Sequence, residues 1–455
     1  MKTLVKLLTI CLLVSFIVGC GSTPTATQAP SKAAPATSAP ATSAPAASSQ
    51  KVKIVYWSMF TQGEPLQQVL DQATKDFMAA NPNIEVDIKW DGRTVLTDLQ
   101  PALAAGTQID ITDQSDSSDM SSIVANGQAL PLNKYLAEPS YDGTTTWQAS
   151  FNPGVLDIGK DSTGNYYLIP REDYISAFFY NKGMLDSMGI QPQMQGMTWD
   201  QFTSMLDTIR SKSPTVSPLG ADGNVSSYND WYFSYLAIRL AGEDAFLAAA
   251  HDKTGAAWGA PEFLQAAQMI KDLQTKNYFQ KNYGGSVWPA AQQLWVNSKI
   301  AMIFCGAWLP TEMSQQMPQG FSVGMFEFPT VPNGKGNNLV EHWANAYVVL
   351  KATKNPEAVA RYLKYIMSMP VATKIVALGS PVPLVGAPVP PALANQYKIL
   401  AASTTMPARA GLEITDAKYV TNVLDKCDDQ LFQGTAGPAQ FVTCMETGTK
   451  SYWGQ

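Results

Sequence analysis

Histidine is nearly absent from this 455-residue chain: only His251 and His342 occur, far apart in sequence. Most His-centred metal sites and Ser-His or Cys-His nucleophile systems therefore lack material. Charge is also scarce. Asp, Glu, Lys and Arg make up 15% of the residues, and 31 basic against 37 acidic side chains leave a net of -6. No basic field exists to hold nucleic acid phosphates, so nucleic acid is not an expected partner. Neither a Gly-rich dinucleotide fingerprint nor a Walker loop is present; Gly334 to Gly336 reads as a polar turn after Pro332. What is present is 45% hydrophobic and 10% aromatic residues, the make-up of a globular protein with a polar, weakly charged surface. The length is ample for a large buried core in more than one domain.

The N-terminus reads as an address. Lys2 and Lys6 precede an apolar run from Leu7 to Val18, which fits a signal peptide over 1–19. The alternative, a membrane anchor, needs a run of about 20 apolar residues. Ile17 to Cys20 resembles the bacterial lipoprotein lipobox, which implies cleavage before Cys20, lipidation there and attachment to a membrane face. Loss of the leader leaves 29 basic residues against 37 acidic ones. Of the 30 residues Gly21–Gln50, 26 are Ala, Pro, Ser or Thr, so 20–50 is expected to be a lipidated Cys plus a partly extended tether. In an oxidising compartment Cys427 and Cys444, close together near the C-terminus, are the expected disulfide, although sequence alone does not fix connectivity. Cys305, in the apolar run Ile300–Cys305, is expected as a buried thiol and not a nucleophile.

From residue 51 the pattern alternates strand and helix. Lys51–Trp57 is β-branched and aromatic; Pro65–Ala80 carries Leu66, Val69, Leu70, Ala73 and Phe77 at helical spacing; Ile84, Val86, Ile88 and Trp90 alternate with charged residues. That is a βαβ unit and predicts a parallel sheet. Thr198–Gln201 is a capping box opening a helix through Ile209, and Asn355-Pro356 opens another with one apolar face. The fold class is α/β, with too many residues for one sheet.

Two features invite chemistry. Asp110, Asp113, Asp116 and Asp119 are spaced carboxylates, but they lack the EF-hand order and its Gly, so a solvated loop after a strand is favoured over a metal site. Paired carboxylates for glycoside hydrolysis are available in number, but no local arrangement singles out two of them. The eleven Trp are more informative. Trp57, Trp231, Trp308 and Trp343 sit beside Gly, Ala or polar residues outside apolar periodic runs, where an indole offers a flat face and one N–H for stacking on a sugar ring. Ordinary core packing is the competing reading for each.

Tyr166–Pro170, Ser176–Lys182, Leu185, Met188–Ile190 and Thr198–Phe202 together resemble the signature of the extracellular solute-binding proteins, family 1, of ABC importers. Further matches follow in the family's order: Ile54–Trp57, Asn81–Ile84, Ala102–Thr107 before Ile109–Ile111, Lys299–Trp308 and Lys354–Ala358. The resemblance spans 51–455. It implies a two-lobed periplasmic-binding-protein fold (type II) with three hinge crossings and a ligand cleft between the lobes. The crossings are expected near Pro170–Tyr174, Cys305–Trp308 and Asn345–Val348, with 51–171 and 306–346 as lobe 1 and 172–305 and 347–455 as lobe 2.

The same resemblance implies the ligand contacts. Trp308 matches the sugar-stacking Trp after the Gly of a hinge strand; Trp57, Ser58 and Phe60 match the end of the first strand; Asp113 and Gln114 match the loop after Ile109–Ile111. Arg171, Glu172 and Tyr174 fall at the first crossing, Trp231 on the cleft helix, Trp343 and Asn345 at the last crossing, and Arg409 in a segment that returns to the cleft. Expected partners are a neutral oligosaccharide, the transmembrane subunits of an ABC permease and a membrane through Cys20, for a monomer without cofactor, metal or catalytic residue. Low charge argues against phosphate esters, which would need an Arg or Lys cluster. The alternative from another class is a secreted carbohydrate-active enzyme, a hydrolase or lyase using paired carboxylates.

Overall fold

The computed structural model describes residues 51–454. The expected leader 1–19, the lipidation site Cys20 and the tether up to residue 50 lie outside the described residues.

The first strand, β1 (Val52–Ser58), the helix Pro65–Ala80 and β2 (Ile84–Trp90) form a βαβ unit in which β1 and β2 pair in parallel. Pro65 occupies the first turn, where no backbone N–H is missed. At the far end Asn81 Nδ2 donates to the Phe77 carbonyl at 2.8 Å, satisfying one of the helix's orphan acceptors. Leu66, Leu70, Ala73 and Phe77 supply the face buried on the sheet. β3 (Ile111–Ser115) joins the other edge of β1 in parallel.

Two long strands then carry the chain onward. β4 (Leu168–Asn181) is buried along its whole length. It pairs antiparallel with β8 (Leu339–Val349) from Leu168↔Val348 to Ile175↔His342, and farther on with β6 (Ile300–Gly306) and β7 (Val323–Phe326). β5 (Ser217–Gly220) lies parallel to β6, and β9 (Thr404–Met406) parallel to β8. The main order is β2-β1-β3-β8-β4-β6-β5.

The apolar cores define two lobes. In one, Ile54, Tyr56, Phe77 and Tyr347 share a core with Val359, Tyr362, Leu363, Ile366 and Ile375 of the helices Pro356–Ile366 and Met369–Ala377. In the other, Phe178, Leu206, Phe233, Phe304 and Phe328 pack with Leu424, Leu431 and Phe441, beside a second cluster containing Ile175, Phe179, Cys305, Leu309, Met325 and Leu393. The Cys427–Cys444 disulfide joins the helices Asp425–Phe432 and Pro438–Trp453 of this lobe.

This redraws the expected partition. The stretch up to Leu384, through the helices that follow β8, belongs with β1–β3, whereas Leu309–Met325 stays with β6. Around the crossing expected at Cys305–Trp308, Cys305, Ala307 and Leu309 all share one core. Cys305 pairs with Ala177, Ala307 N donates to the Ile175 carbonyl at 3.0 Å, and the short helix Leu309–Glu312 turns the chain back beneath its own sheet. The third passage between cores instead falls between Leu384 and Leu393, after the two passages made by β4 and β8.

Candidate functional site

The paired strands β4 and β8 set the candidate site. Register between β4 and β8 shifts at Pro170/Glu172, leaving Arg171 as the extra residue of a bulge. A bulge re-aims a side chain, and here it sends the guanidinium into the protein interior. Arg171 is fully buried and paired with Asp113 and with Glu172 Oε2, the latter at 3.0 Å. Its guanidinium carbon lies 4.7 Å from the Phe60 ring and 5.0 Å from the Tyr347 ring. Burial works against its charge, and the Glu172 and Asp113 carboxylates more than offset that, holding it protonated. The end of β1 is tied in through Met59 N, which donates to Asp113 Oδ1 at 2.9 Å, and Phe60 N, which donates to Ser58 Oγ at 3.3 Å. Glu172 then leads on: Oε2 accepts from Asn345 Nδ2 at 3.1 Å, and Oε1 accepts from the Tyr174 hydroxyl at 2.9 Å.

Tyr174 opens an aromatic cluster. Its ring is 5.0 Å from Trp343 and 5.9 Å from Trp308; Trp308 meets Trp343 edge-on at 4.7 Å and Trp231 at 5.9 Å. Tyr228 stacks flat on Trp231 at 5.1 Å. Trp308 folds back over Gly306 so closely that a Cβ there would sit 1.4 Å from the indole, so only glycine admits this ring position. The indole N–H groups of Trp231 and Trp343 are buried without an acceptor among the described residues. Buried donors are normally paired, and the core indoles of Trp147 and Trp295 share this lack of an acceptor.

Arg409 closes one side. Arg409 and Ala410 have φ of +51° and +55°, and Gly411 follows at +84°. Left-handed non-glycine residues are strained and persist where surroundings fix them. Here Arg409 N donates to Glu341 Oε1 at 2.8 Å, while the guanidinium bonds both oxygens of Asp230 at 2.7 Å, Glu413 at 2.7 Å and the Ser227 carbonyl at 2.9 Å. Arg409 is thus engaged within the protein, and it fastens the helix Ser226–Ala241, which carries Tyr228 and Trp231, to β8.

The acidic run is not a solvated loop. Asp110, Asp113, Asp116 and Asp119 are all buried, because each accepts a backbone N–H: from Val55, Met59, Ala344 and Gln114 respectively. Burial pushes Asp116 up to about 7, against the pull of the Ala344 N–H and with help from Glu413 across the site. Asp119 is also raised by burial, then by the Asp113 charge. Among the described residues no group of three or more His, Cys, Asp or Glu is arranged to hold a metal.

The structure therefore joins Ser58, Phe60, Asp113, Arg171, Glu172, Tyr174 and Asn345 to the rings of Trp231, Trp308 and Trp343, with Arg409 behind Trp231. Two candidates stand apart. Trp57 packs in the sheet wall with Lys89 Nζ 3.8 Å from its ring centre, and Gln114 bonds the Arg93 carbonyl at 3.3 Å. Tyr228, Asp230, Glu341 and the His342–Asp173 pair were not singled out. Tyr228 had a signal: it lies one helical turn before Trp231 on the same face.

A family model described as bacterial extracellular solute-binding protein matches residues 58–373. The chain belongs to this family. Among the relatives of this solute-binding protein, the melibiose/raffinose/stachyose-binding protein MelE of Bacillus subtilis (strain 168) is 23% identical over 189 residues, spanning 41% of this chain and 43% of that one. A solved chitin oligosaccharide binding protein superposes with a TM-score of 0.74 at 22% identity, covering 89% of this chain and 100% of that chain. A sugar transporter from Bacillus licheniformis in complex with stachyose gives 0.68 at 19%, covering 87% and 98%. The solute-binding protein shares with these neighbours the two-lobed type II fold.

Proposed function

We propose that this solute-binding protein is the substrate-binding subunit of an ABC importer, that it captures a neutral oligosaccharide by cleft closure, and that it is held outside the cytoplasm by a lipid on Cys20. The observation that carries the ligand class is the cluster Tyr174, Tyr228, Trp231, Trp308 and Trp343 with two unpartnered indole N–H groups. Flat apolar rings edged with hydrogen-bonding groups suit the faces and hydroxyls of pyranose rings. The charges of Arg171 and Arg409 beside them are paired with carboxylates, so among the described residues neither is free for a phosphate. The sugars named for MelE and for the stachyose complex point to the same class. The hydrolase reading has no comparable support: Asp113 and Glu172, next to the rings, are both spent on Arg171.

The test is a thermal-shift screen over melibiose, raffinose, stachyose and chitin and xylan oligosaccharides. A ligand of the closed form raises the melting temperature by mass action and is recovered chemically unchanged. Hydrolysis of any bound sugar would overturn the binding-protein reading. For the anchor, Cys20→Ser is expected to shift the protein from the membrane to the soluble fraction of expressing cells.

A further inference from the structure

The segment Val287–Gln292 is hydrogen-bonded onto the loop that starts the Tyr228/Trp231 helix. Trp288 N donates to Asn224 Oδ1 at 2.8 Å, and Asn224 N to the Ser286 carbonyl at 3.1 Å. Asp222 Oδ1 accepts from Ser286 Oγ at 2.6 Å and from Ala291 N at 2.9 Å. Gly223 packs so tightly here that a Cβ would meet Gly284 Cα at 2.6 Å. One turn on, Ala291 and Gln292 line a cavity together with Tyr228, Tyr232 and Cys305. Gln292 is 2% exposed, with its amide beside the Glu312 carboxylate, and the Tyr232 hydroxyl in the same cavity is unpaired. The helix Ala290–Val296 thus borders the aromatic cluster.

Trp288 stands just before this helix, 44% exposed beside the more exposed Val287. None of the ring pairs that build the cleft includes it. Trp is highly buried on average, so a bare indole held by a hydrogen-bonded backbone next to a ligand site has a ready use. Its backbone is already fixed against Asn224, which lowers part of the entropic cost of stacking.

We propose that Trp288 forms an outer sugar subsite, stacking on a ring beyond those held by Tyr228, Trp231 and Trp308, so that the preferred ligand is longer than a disaccharide. The inference rests on the oligosaccharide reading above. The test is calorimetry of wild type, Trp288→Ala and Trp288→Tyr with melibiose, raffinose and stachyose, and with chitin and xylan oligosaccharides of increasing length. Within whichever series binds, Trp288→Ala should leave the shortest bound member within twofold of wild type and weaken the longest roughly tenfold, as expected for loss of one stacked ring. Trp288→Tyr, which keeps a ring, should restore most of the loss. Equal weakening at every length, or none at any, overturns the outer subsite and leaves the sugar reading intact. Failure of wild type to bind any series would instead remove the sugar reading, and the subsite with it.

Discussion

At the scale of single residues the site is two systems in contact, a buried ion triad and a set of rings, and they predict different failures. Trp308→Ala should weaken sugar binding by ~1–3 kcal/mol in calorimetry and also lower the unliganded melting temperature, since the ring packs on Tyr174, Trp231 and Trp343. Gly306→Ala should reproduce that loss with the Trp308 side chain intact, because its methyl would displace the indole from its place. Arg171→Ala should act on folding: it strands Asp113 and Glu172 in the interior and should cost about 3–5 kcal/mol in denaturant unfolding. Which residues were legible in sequence follows the same division. Trp308 stood out because a Gly and an Ala separate it from an apolar strand. The carboxylates of Asp110 to Asp119 were misread as solvated, since the amides that satisfy them come from β1 and the residue after it, from β3 and from β8, and only folding brings these together. Trp57 lies on the other face from Ser58 for a local reason: in a strand, side chains alternate between faces, and Trp57 takes the one next to Lys89.

At the scale of elements, β4 and β8 matter most. Their pairing runs through the Arg171 bulge, so the bulge sits where the two lobes meet and hangs Glu172, Tyr174, Trp343 and Asn345 around it. The strands and helices of the first βαβ unit were readable from periodicity, and the Thr198 capping box is present as written, with Gln201 N donating to Thr198 Oγ1 at 3.2 Å. The third crossing was not readable, because nothing in the run Lys299–Trp308 announces that the chain doubles back, and the segment that does cross, after Leu384, carries no periodic pattern. The Cys427–Cys444 link ties two helices packed on the Tyr228/Trp231 helix. With the cysteines 17 positions apart, Cys444→Ser should lower stability by about 3 kcal/mol in urea unfolding. The same loss is expected in wild type under reducing conditions.

At the scale of the whole molecule, buried carboxyls make stability depend on pH. Asp116 is raised to about 7 and Asp119 and Asp428 are raised by burial, the last with neither oxygen hydrogen-bonded. In the native state these groups hold protons that the unfolded chain releases near pH 4, so stability is fullest below that pH and falls as pH rises toward each folded value. His342, raised overall by Asp173 although burial opposes it, acts in the same direction: its contribution is complete below the ordinary histidine value and fades above it. The melting temperature should therefore drop between pH 5 and pH 8, and Asp116→Asn, which still accepts from Ala344 N, should flatten part of that slope. The interlacing of the lobes reaches beyond stability to the timing of folding. The lobe begun by β1 is incomplete until β8 and the helices up to Ala377 have been made, and the other lobe waits for the helix ending at Trp453. Neither lobe can finish folding while the chain is still short: the first waits for most of the chain, and the second for its last helix.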